Sequence, residues 1–398
     1  MSNFLPIKAL LVDSDCTTLE LLTTLLESKG YLVIQARNGQ SALKLIERGD
    51  INLVITDWMM PLMNGVELCC AIRQRPQDNY IYLIMLTSNN NEEALVTAME
   101  AGVDDFLGKP FNPIELGARL HAAERVLALE SGLNSRNYQL AEAYGQLSQE
   151  LELAKTMQLA MLPDRANFKN ISFDWIFEAS SYVGGDIFDY FQIDENYLCF
   201  YLIDVAGHGV SAAMMAFSVQ NYLLSSSSQI AKTISRQGGD IGSTAEIMVA
   251  RHNTHFMEMK ETCLYLTMIY GLIDIKTGTV ALVQAGHPPP MYVDPLGTVT
   301  AIGDGGLPIG IISGATYEAH IIKLTPGARL FLYSDGITDC TNATGKIFGQ
   351  KRLENTLSQK KDASLGRVGI EVRQAIFEWR GFIGAFEDDI TLLSLEYQ

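Results

Sequence analysis

Four short segments of the sequence place an aspartate at the border of an apolar run, where a strand would end. They are residues 183–186 (VGGD), 202–209 (LIDVAGHG), 332–336 (LYSDG) and 387–391 (EDDIT), and the aspartates are Asp186, Asp204, Asp335 and Asp388. Carboxylates from several strand ends can converge on hard divalent cations. One Asp-x-x-Gly segment alone is more often a turn. Four such segments in this order favour a site for two cations.

A second set of polar residues stands at or after apolar runs in residues 1–124. Asp13, Asp57, Thr87 and Lys109 follow the first, third, fourth and fifth of five candidate strands. These strands are residues 9–12, 31–35, 53–56, 80–87 and 103–107, and helical patterns separate them. Apolar strands alternating with helices predict a parallel sheet with its active site at the carboxyl edge. An aspartate there can accept a phosphoryl group if a lysine and a magnesium ion neutralise the charge.

Residues 1–124 resemble the receiver domain of two-component response regulators, which has a flavodoxin-like (CheY-like) doubly wound α/β fold. The segment ITDWMMP, residues 55–61, carries the resemblance together with the polar residues named above. The resemblance implies that a cognate histidine kinase or phosphotransfer protein phosphorylates Asp57. It further implies that Thr87 and Lys109 contact the phosphoryl group, and that magnesium is held by Asp13, Asp57 and Met59.

The sequence departs from the receiver pattern after the first strand. Ser14 stands where a second acid is usual, and Asp15 follows one position later. Three outcomes are open: Ser14 ligates magnesium through a water, Asp15 reaches the site after a local shift, or phosphorylation is slow. Phe106 stands where an aromatic ring commonly swings inward on phosphorylation.

Residues 163–398 resemble the PPM-type metal-dependent serine/threonine phosphatases, the protein phosphatase 2C-like fold, and most closely the bacterial SpoIIE-like branch. The four acidic segments carry this resemblance, with residues 285–290 (AGHPPP) and 306–310 (GLPIG). It implies two manganese or magnesium ions: Asp204 bridges both, the Val205 carbonyl binds one, Asp335 and Asp388 hold the other, and Asp186 supports the site directly or through water. Asp389 is expected behind the ligands. A water between the ions would attack phosphorus in line.

The elements predicted to position these acids form an α/β sandwich of two antiparallel sheets flanked by helices. Strands are predicted at residues 263–274, 279–285, 319–324, 329–334 and 390–395, with helices at 210–225 and 243–259. The serine- and glycine-rich residues 225–242 are predicted to be a mobile flap. His208 and His287 are predicted to order loops, because oxygen-rich sites favour magnesium or manganese over zinc.

Residues 125–162 have a helical pattern without a core of their own. Leu133, Leu140, Leu147, Ala154 and Met161 recur every seven residues, Tyr144 and Leu151 fill companion positions, and Asn137 and Gln158 interrupt them. This pattern predicts a coiled-coil linker that pairs two chains, with the polar residues fixing its register. The alternative is a single amphipathic helix lying on its own domain.

The charge and composition of the chain limit the classes of partner that it is expected to bind. The 398-residue chain has a formal net charge of −17 with 47% hydrophobic residues, and neither predicted domain has an excess of basic residues. We therefore expect no nucleic-acid or membrane binding. The six cysteines have no metal-ligand spacing, and no apolar stretch is long enough to span a bilayer, which predicts a cytoplasmic protein.

Two functions are compatible with this organisation. In the first, phosphorylation of the receiver controls a phosphatase that acts on a phosphorylated protein; the family resemblance implies a STAS-type anti-sigma-factor antagonist. In the second, the phosphatase-like domain is catalytically silent and only binds a partner. The presence of all four acids favours the enzyme.

Overall fold

The structure is a computed structural model that describes residues 7–75, 79–88, 92–258, 265–381 and 386–398. The chain divides into two compact units, residues 1–146 and 147–398. None of the helices in these described ranges is both long enough and apolar enough to cross a membrane.

The N-terminal unit is a doubly wound α/β domain. Its elements are β1 (Lys8–Val12), α1 (Cys16–Glu27), β2 (Leu32–Ala36), α2 (Gly39–Ile46), β3 (Leu53–Asp57), α3 (Gly65–Arg73), β4 (Tyr82–Thr87), α4 (Glu92–Glu100) and β5 (Asp105–Gly108). The strands pair in parallel in the order β2-β1-β3-β4-β5. Separate apolar cores cover the two faces of the sheet. The predicted fold and all five predicted strands are confirmed, with ends displaced by one or two residues.

A single helix, α5 (Pro113–Met161), follows the parallel sheet. Its first turns bury Leu116, Leu120 and Ala123 in the core on one face of that sheet. The heptad residues Leu133, Leu140 and Leu147 are then 54%, 58% and 52% exposed. These leucines have an apolar surface that the single chain does not cover.

One predicted position of the linker heptad is wrong. Gln158 was expected to interrupt a coiled-coil seam, but its side chain is 1% exposed and packs within the C-terminal unit. Its amide donates to the Gly184 carbonyl at 2.9 Å and accepts from the Gly184 N–H at 3.0 Å. The seven-residue spacing does not reveal this contact, because an amide at a heptad position can form its hydrogen bonds either with a second helix or with backbone groups of its own unit.

The C-terminal unit is a sandwich of two antiparallel sheets between layers of helices, as predicted. Its elements are β6 (Asn167–Phe168), β7 (Ile171–Glu178), β8 (Asp186–Gln192), β9 (Tyr197–Val205), α6 (Val210–Ser225), α7 (Ser227–Arg236), α8 (Ile241–Glu258), β10 (Leu266–Asp274), β11 (Thr279–Ala285), β12 (Met291–Val293), β13 (Val299–Ala301), β14 (Ala319–Lys323), β15 (Arg329–Tyr333), α9 (Asp335–Asp339), α10 (Gln350–Gln359), α11 (Leu365–Arg380) and β16 (Ile390–Tyr397). One sheet has the order β14-β11-β10-β9-β8 and the other β13-β12-β15-β16-β7-β6.

Three apolar cores explain this layering. Alternate residues of β9 face the other sheet or helices α6 to α8, so residues 198–203 form an unbroken apolar run. Helices α10 and α11 cover the outer face of the second sheet. The predicted strand at residues 263–274 begins at Leu266 in the structure, and Cys263 lies outside the described residues.

The predicted flap at residues 225–242 is wrong, because most of it forms α7. Ile230 and Ile234 lie one turn apart and are buried in the core beneath α6 and α8. The serines and glycines dominated the prediction, whereas this apolar pair decides the structure.

Candidate functional site

The N-terminal unit brings together three charged side chains at the carboxyl edge of its sheet. Asp13 follows β1, Asp57 ends β3, and Lys109 follows β5. The Lys109 Nζ lies 2.7 Å from Asp13 Oδ2 and 2.7 Å from Asp57 Oδ1. Burial lowers the pKa of Lys109, but the hydrogen bonds and charges of the two aspartates raise it further, and the net shift is upward. A cation is therefore held beside Asp57, where it can balance added negative charge.

Thr87 and Met59 lie at the same edge of the sheet. Thr87 ends β4, is buried, and its carbonyl accepts from the Lys109 N–H at 2.7 Å. Met59 comes two residues after Asp57, and its side chain is 72% exposed. Because magnesium prefers oxygen, only the backbone carbonyl of Met59 could serve as a ligand.

The structure gives Asp15 a different task from magnesium binding. Its carboxylate caps the N-terminus of α1 and accepts from Thr17 N, Thr18 N and Thr18 Oγ1 at 2.8 to 3.2 Å. The hydrogen bonds from Thr18 and Thr17 lower the pKa of Asp15. Reaching the metal position would break this cap, so among the open outcomes the structure disfavours Asp15 as a replacement ligand.

The four aspartates of the C-terminal unit lie at or next to the ends of strands from both sheets. Asp186 begins β8 and is paired directly with Asp204 near the end of β9. Asp335 follows β15 and begins α9, whereas Asp388 precedes β16, the strand that pairs with β15. Asp186 is buried and Asp388 is exposed, so the group runs from the sandwich interior to its rim.

The pKa shifts show that these carboxylates act on one another. Burial, followed by Asp335, Asp388 and Asp389, raises the pKa of Asp204 to about 7. Burial and the charge of Asp204 also raise the pKa of Asp186, and burial and Asp388 raise that of Asp335. Negative charges concentrated in a partly dry site are stabilised by a cation.

The Asp389 carboxylate accepts hydrogen bonds from two backbone groups near the four acids. Its Oδ1 accepts from the Ser180 N–H at 2.7 Å, and its Oδ2 accepts from the Asp186 N–H at 3.2 Å. A Cβ on Gly184 would lie 2.1 Å from Asp389 Oδ2, so only glycine permits this approach. The VGGD segment is thereby fixed from behind.

The donor set fits divalent cations in charge and in atom type. A Cβ on Gly185 would lie 2.8 Å from the Val205 carbonyl oxygen, so the glycine leaves that oxygen clear as a ligand. Within the described ranges, however, no three acidic, histidine or cysteine side chains form a ready-made metal site. Asp186 Oδ2 instead accepts from Thr391 Oγ1. Cation binding would therefore require side-chain rearrangement among these acids.

The two histidines near the acids differ in environment. His208 is exposed, and its charge opposes the effect of burial on the pKa of Asp388. His287 is 2% exposed, and its Nδ1 lies 2.6 Å from Thr267 Oγ1. Burial lowers the pKa of His287 to about 3, so its ring is neutral at physiological pH.

Sequence reasoning missed the polar residues that hold the acids in place. Thr391 bonds to Asp186, and the Ser334 hydroxyl donates to the Asp389 carbonyl at 3.0 Å while accepting from the Thr391 N–H at 3.0 Å. The available signal was that Ser334 and Thr391 interrupt apolar runs beside Asp335 and Asp389, where a buried hydroxyl needs a partner.

Two family models match the chain. The model for stage II sporulation protein E (SpoIIE) matches residues 194–398, and the model for the response regulator receiver domain matches residues 9–121. The SiaA PP2C domain of Pseudomonas aeruginosa aligns with a TM-score of 0.54 at 21% identity, over 65% of this chain and all of that chain. The C-terminal unit thus has a PP2C-type fold.

Curated relatives match the two parts of the chain. Phosphoserine phosphatase RsbP of Bacillus subtilis is 32% identical over 195 residues, which is 48% of this chain and 46% of RsbP. Protein IcfG of Synechocystis sp. is 26% identical over 262 residues, covering 62% of this chain and 41% of IcfG. The transcriptional regulatory protein CpxR of Escherichia coli is 44% identical over 118 residues, 30% of this chain and 49% of CpxR. The chain spans less than half the length of these relatives.

Proposed function

Because the chain belongs to the SpoIIE family, we propose that it is a response regulator in which phosphorylation of Asp57 controls a metal-dependent protein serine/threonine phosphatase. The carboxylates of Asp186, Asp204, Asp335 and Asp388, whose pKa values are all raised by burial and by neighbouring acids, carry the enzymatic half of this proposal. Such a concentration of negative charge costs stability and is expected where it serves a function.

In this proposal, Asp204, Asp335, Asp388 and the Val205 carbonyl would hold two manganese or magnesium ions, and Asp186 would contribute directly or through water. When bound, the ions supply Lewis-acid chemistry, because they lower the pKa of a coordinated water and neutralise phosphoryl charge. The chain's own part is to hold the ligands: Thr391 orients Asp186, and Asp389 fixes the backbone of Asp186.

In the receiver, Asp57 accepts the phosphoryl group from a cognate histidine kinase or phosphotransfer protein. Asp13, Asp57 and the Met59 carbonyl would hold magnesium, Lys109 would balance the added charge, and Thr87 would contact the phosphoryl group. The 2.7 Å contacts of Lys109 with both aspartates support these roles.

The proposed substrate is a phosphorylated serine or threonine on a protein. RsbP is named a phosphoserine phosphatase, which supports this chemistry for the matching part of the chain. The family resemblance points to a STAS-type anti-sigma-factor antagonist as the substrate and to a cytoplasmic location. The acidic net charge of −17 gives no support for nucleic-acid or membrane partners.

We assign the receiver to residues 1–124, a coiled-coil linker to 125–162 and the phosphatase domain to 163–398. A homodimer would form through the linker, where the exposed leucines of α5 at seven-residue spacing would pair with a second copy. The end of the linker would transmit the effect of Asp57 phosphorylation to the phosphatase site through Gln158, which binds both backbone groups of Gly184.

Turnover of a chromogenic phosphate ester tests this function. The purified chain is assayed with Mn²⁺, with Mn²⁺ and a small phosphodonor, and with a chelator. We expect metal-dependent turnover that changes with the phosphodonor. Absence of turnover towards both the ester and a phosphorylated protein, with folding and Mn²⁺ binding intact, would favour the alternative of a catalytically silent binding domain.

A further inference from the structure

A polar row crosses three neighbouring strands at the acidic end of the sandwich. Asp186 on β8 pairs with Asp204 on β9, and Asp204 pairs with Thr267 on β10. Residues two positions along these strands, Phe188, Leu202 and Ile269, belong to the core between the two sheets. Since side chains alternate along a strand, the three polar side chains also face the other sheet.

His287 lies at one end of this row. It follows β11, and its Nδ1 is 2.6 Å from Thr267 Oγ1. The turn that carries it is fixed independently, because Gln284 Nε2 donates to the His287 carbonyl at 2.6 Å and Gln284 Oε1 accepts from the Gly305 N–H at 2.7 Å. Loop ordering is thus supplied by Gln284, and the imidazole ring is free for another task.

The surroundings of the second ring nitrogen of His287 indicate a role in packing between the sheets. Nε2 is buried and has no hydrogen-bond partner of normal geometry among the described residues. Burial lowers the pKa of the ring, and a backbone interaction with Tyr333 opposes that effect. Tyr333 ends β15 in the other sheet, two residues before Asp335. The ring therefore stands between the strand next to Asp204 and the strand that leads to Asp335.

We propose that His287 is a positioning residue that fixes the separation of Asp204 and Asp335 across the two sheets. Its Nδ1 contacts the hydroxyl of Thr267, the direct neighbour of Asp204, and its ring interacts with the backbone of Tyr333. This tie complements the bond between Thr391 and Asp186, which joins the sheets at the other end of the row. The inference rests on the proposed metal-dependent function, because its purpose is to space two ligands for the same pair of ions.

Four substitutions separate the two contacts of the ring. His287→Ala removes both, whereas His287→Asn keeps a polar atom near the Nδ1 position and His287→Gln keeps one near the Nε2 position. Thr267→Val removes the hydroxyl partner without changing the histidine. His252→Ala is the matched control, because His252 is also buried with two unpartnered ring nitrogens but lies on α8, among core residues between the helices and the sheet.

Calorimetric titration with Mn²⁺ gives the dissociation constant, and assays at saturating Mn²⁺ give kcat and KM for the chromogenic ester. Loss of a group that orients metal ligands typically weakens metal affinity or activity by about 10- to 100-fold. We expect that loss in His287→Ala, a smaller loss in Thr267→Val, and partial recovery in His287→Asn or His287→Gln. We expect these losses to appear as a lower kcat or a weaker Mn²⁺ affinity, whereas KM for the ester should change less.

The control distinguishes positioning from general destabilisation. His252→Ala should lower the melting temperature but leave the Mn²⁺ dissociation constant within about twofold. The inference is overturned if folded His287→Asn, His287→Gln and Thr267→Val all bind Mn²⁺ and turn over like the wild type. If the wild type binds Mn²⁺ without turnover, the proposed activity fails while the dissociation constants still decide the role of His287. If the wild type binds no Mn²⁺, both are overturned.

Discussion

Asp204→Asn should stabilise the metal-free protein at alkaline pH while abolishing its turnover. Burial and the neighbouring acids raise the pKa of Asp204 from 3.8 to about 7. The folded chain therefore holds this proton more strongly than the unfolded chain does. The associated stability is fully present below the unfolded pKa and is lost as the pH rises through about 7. Asparagine resembles the protonated acid and removes this loss.

The size of the effect follows from the shift. Between pH 5 and pH 8, the wild type loses stability equivalent to about two pKa units of this shift. At 1.36 kcal/mol per unit, the free energy of unfolding falls by about 2 to 3 kcal/mol. For a unit the size of residues 147–398, this corresponds to a melting-temperature difference of roughly 5 to 10 °C. Added Mn²⁺ should reverse the order, because it stabilises only a folded chain that binds it.

Differential scanning calorimetry in excess chelator at pH 5, 6, 7 and 8 measures this effect, and it can resolve separate transitions of the two units. Asp304→Asn is the matched control, because its side chain is 94% exposed. We expect Asp204→Asn to melt above the wild type throughout this series, and the difference between them to widen by roughly 5 to 10 °C from pH 5 to pH 8. A wild type whose stability is flat over this range, or full Mn²⁺-dependent turnover by Asp204→Asn, would refute the reasoning.

Three further outcomes are expected. A small phosphodonor with magnesium should add the mass of one phosphoryl group to the wild type but not to Asp57→Ala; an unmodified wild type would mean that Ser14 disables the receiver. Replacing Leu140 and Leu147 by Ser should abolish the response to phosphodonor, expected to be roughly 5- to 150-fold, while basal turnover remains; a wild-type response would make the linker a tether. Gln158→Met should lower the free energy of unfolding by roughly 2 to 5 kcal/mol, because it leaves both backbone groups of Gly184 without hydrogen bonds. The melting temperature and basal turnover of this variant should fall, whereas Gln146→Met, at an exposed position, is the control.

The strands that position the sites could be predicted because their sequences are unambiguous. Residues 53–56 and 198–203 are buried on both faces, so continuous apolar runs identified β3 and β9. The aspartates at their ends were identified with them. These apolar runs do not predict distances between side chains. The 2.7 Å contacts of Lys109 depend on the order of the parallel strands, and strand order is a property of the whole sheet.

The failures have a different physical origin. Gln158 fits a heptad and also fits a buried bond to Gly184, and sequence spacing cannot distinguish the two partners of one amide. Ser227–Arg236 is rich in residues that favour turns, yet Ile230 and Ile234 fold it as a helix against the core. In each case a tertiary contact decided between local structures of similar propensity.

The arrangement around Gly184 suggests why a helix end can influence this site. Gln158 binds its N–H and carbonyl, while the absence of a Cβ lets Asp389 approach from the other side and bind the Asp186 N–H. A shift of the helix by a fraction of a hydrogen-bond length must therefore either break the amide contacts or move the backbone that begins β8. Because buried polar groups are costly to leave unpaired, movement of the backbone is the easier response. It would displace Asp186 relative to Asp204, its direct partner on β9.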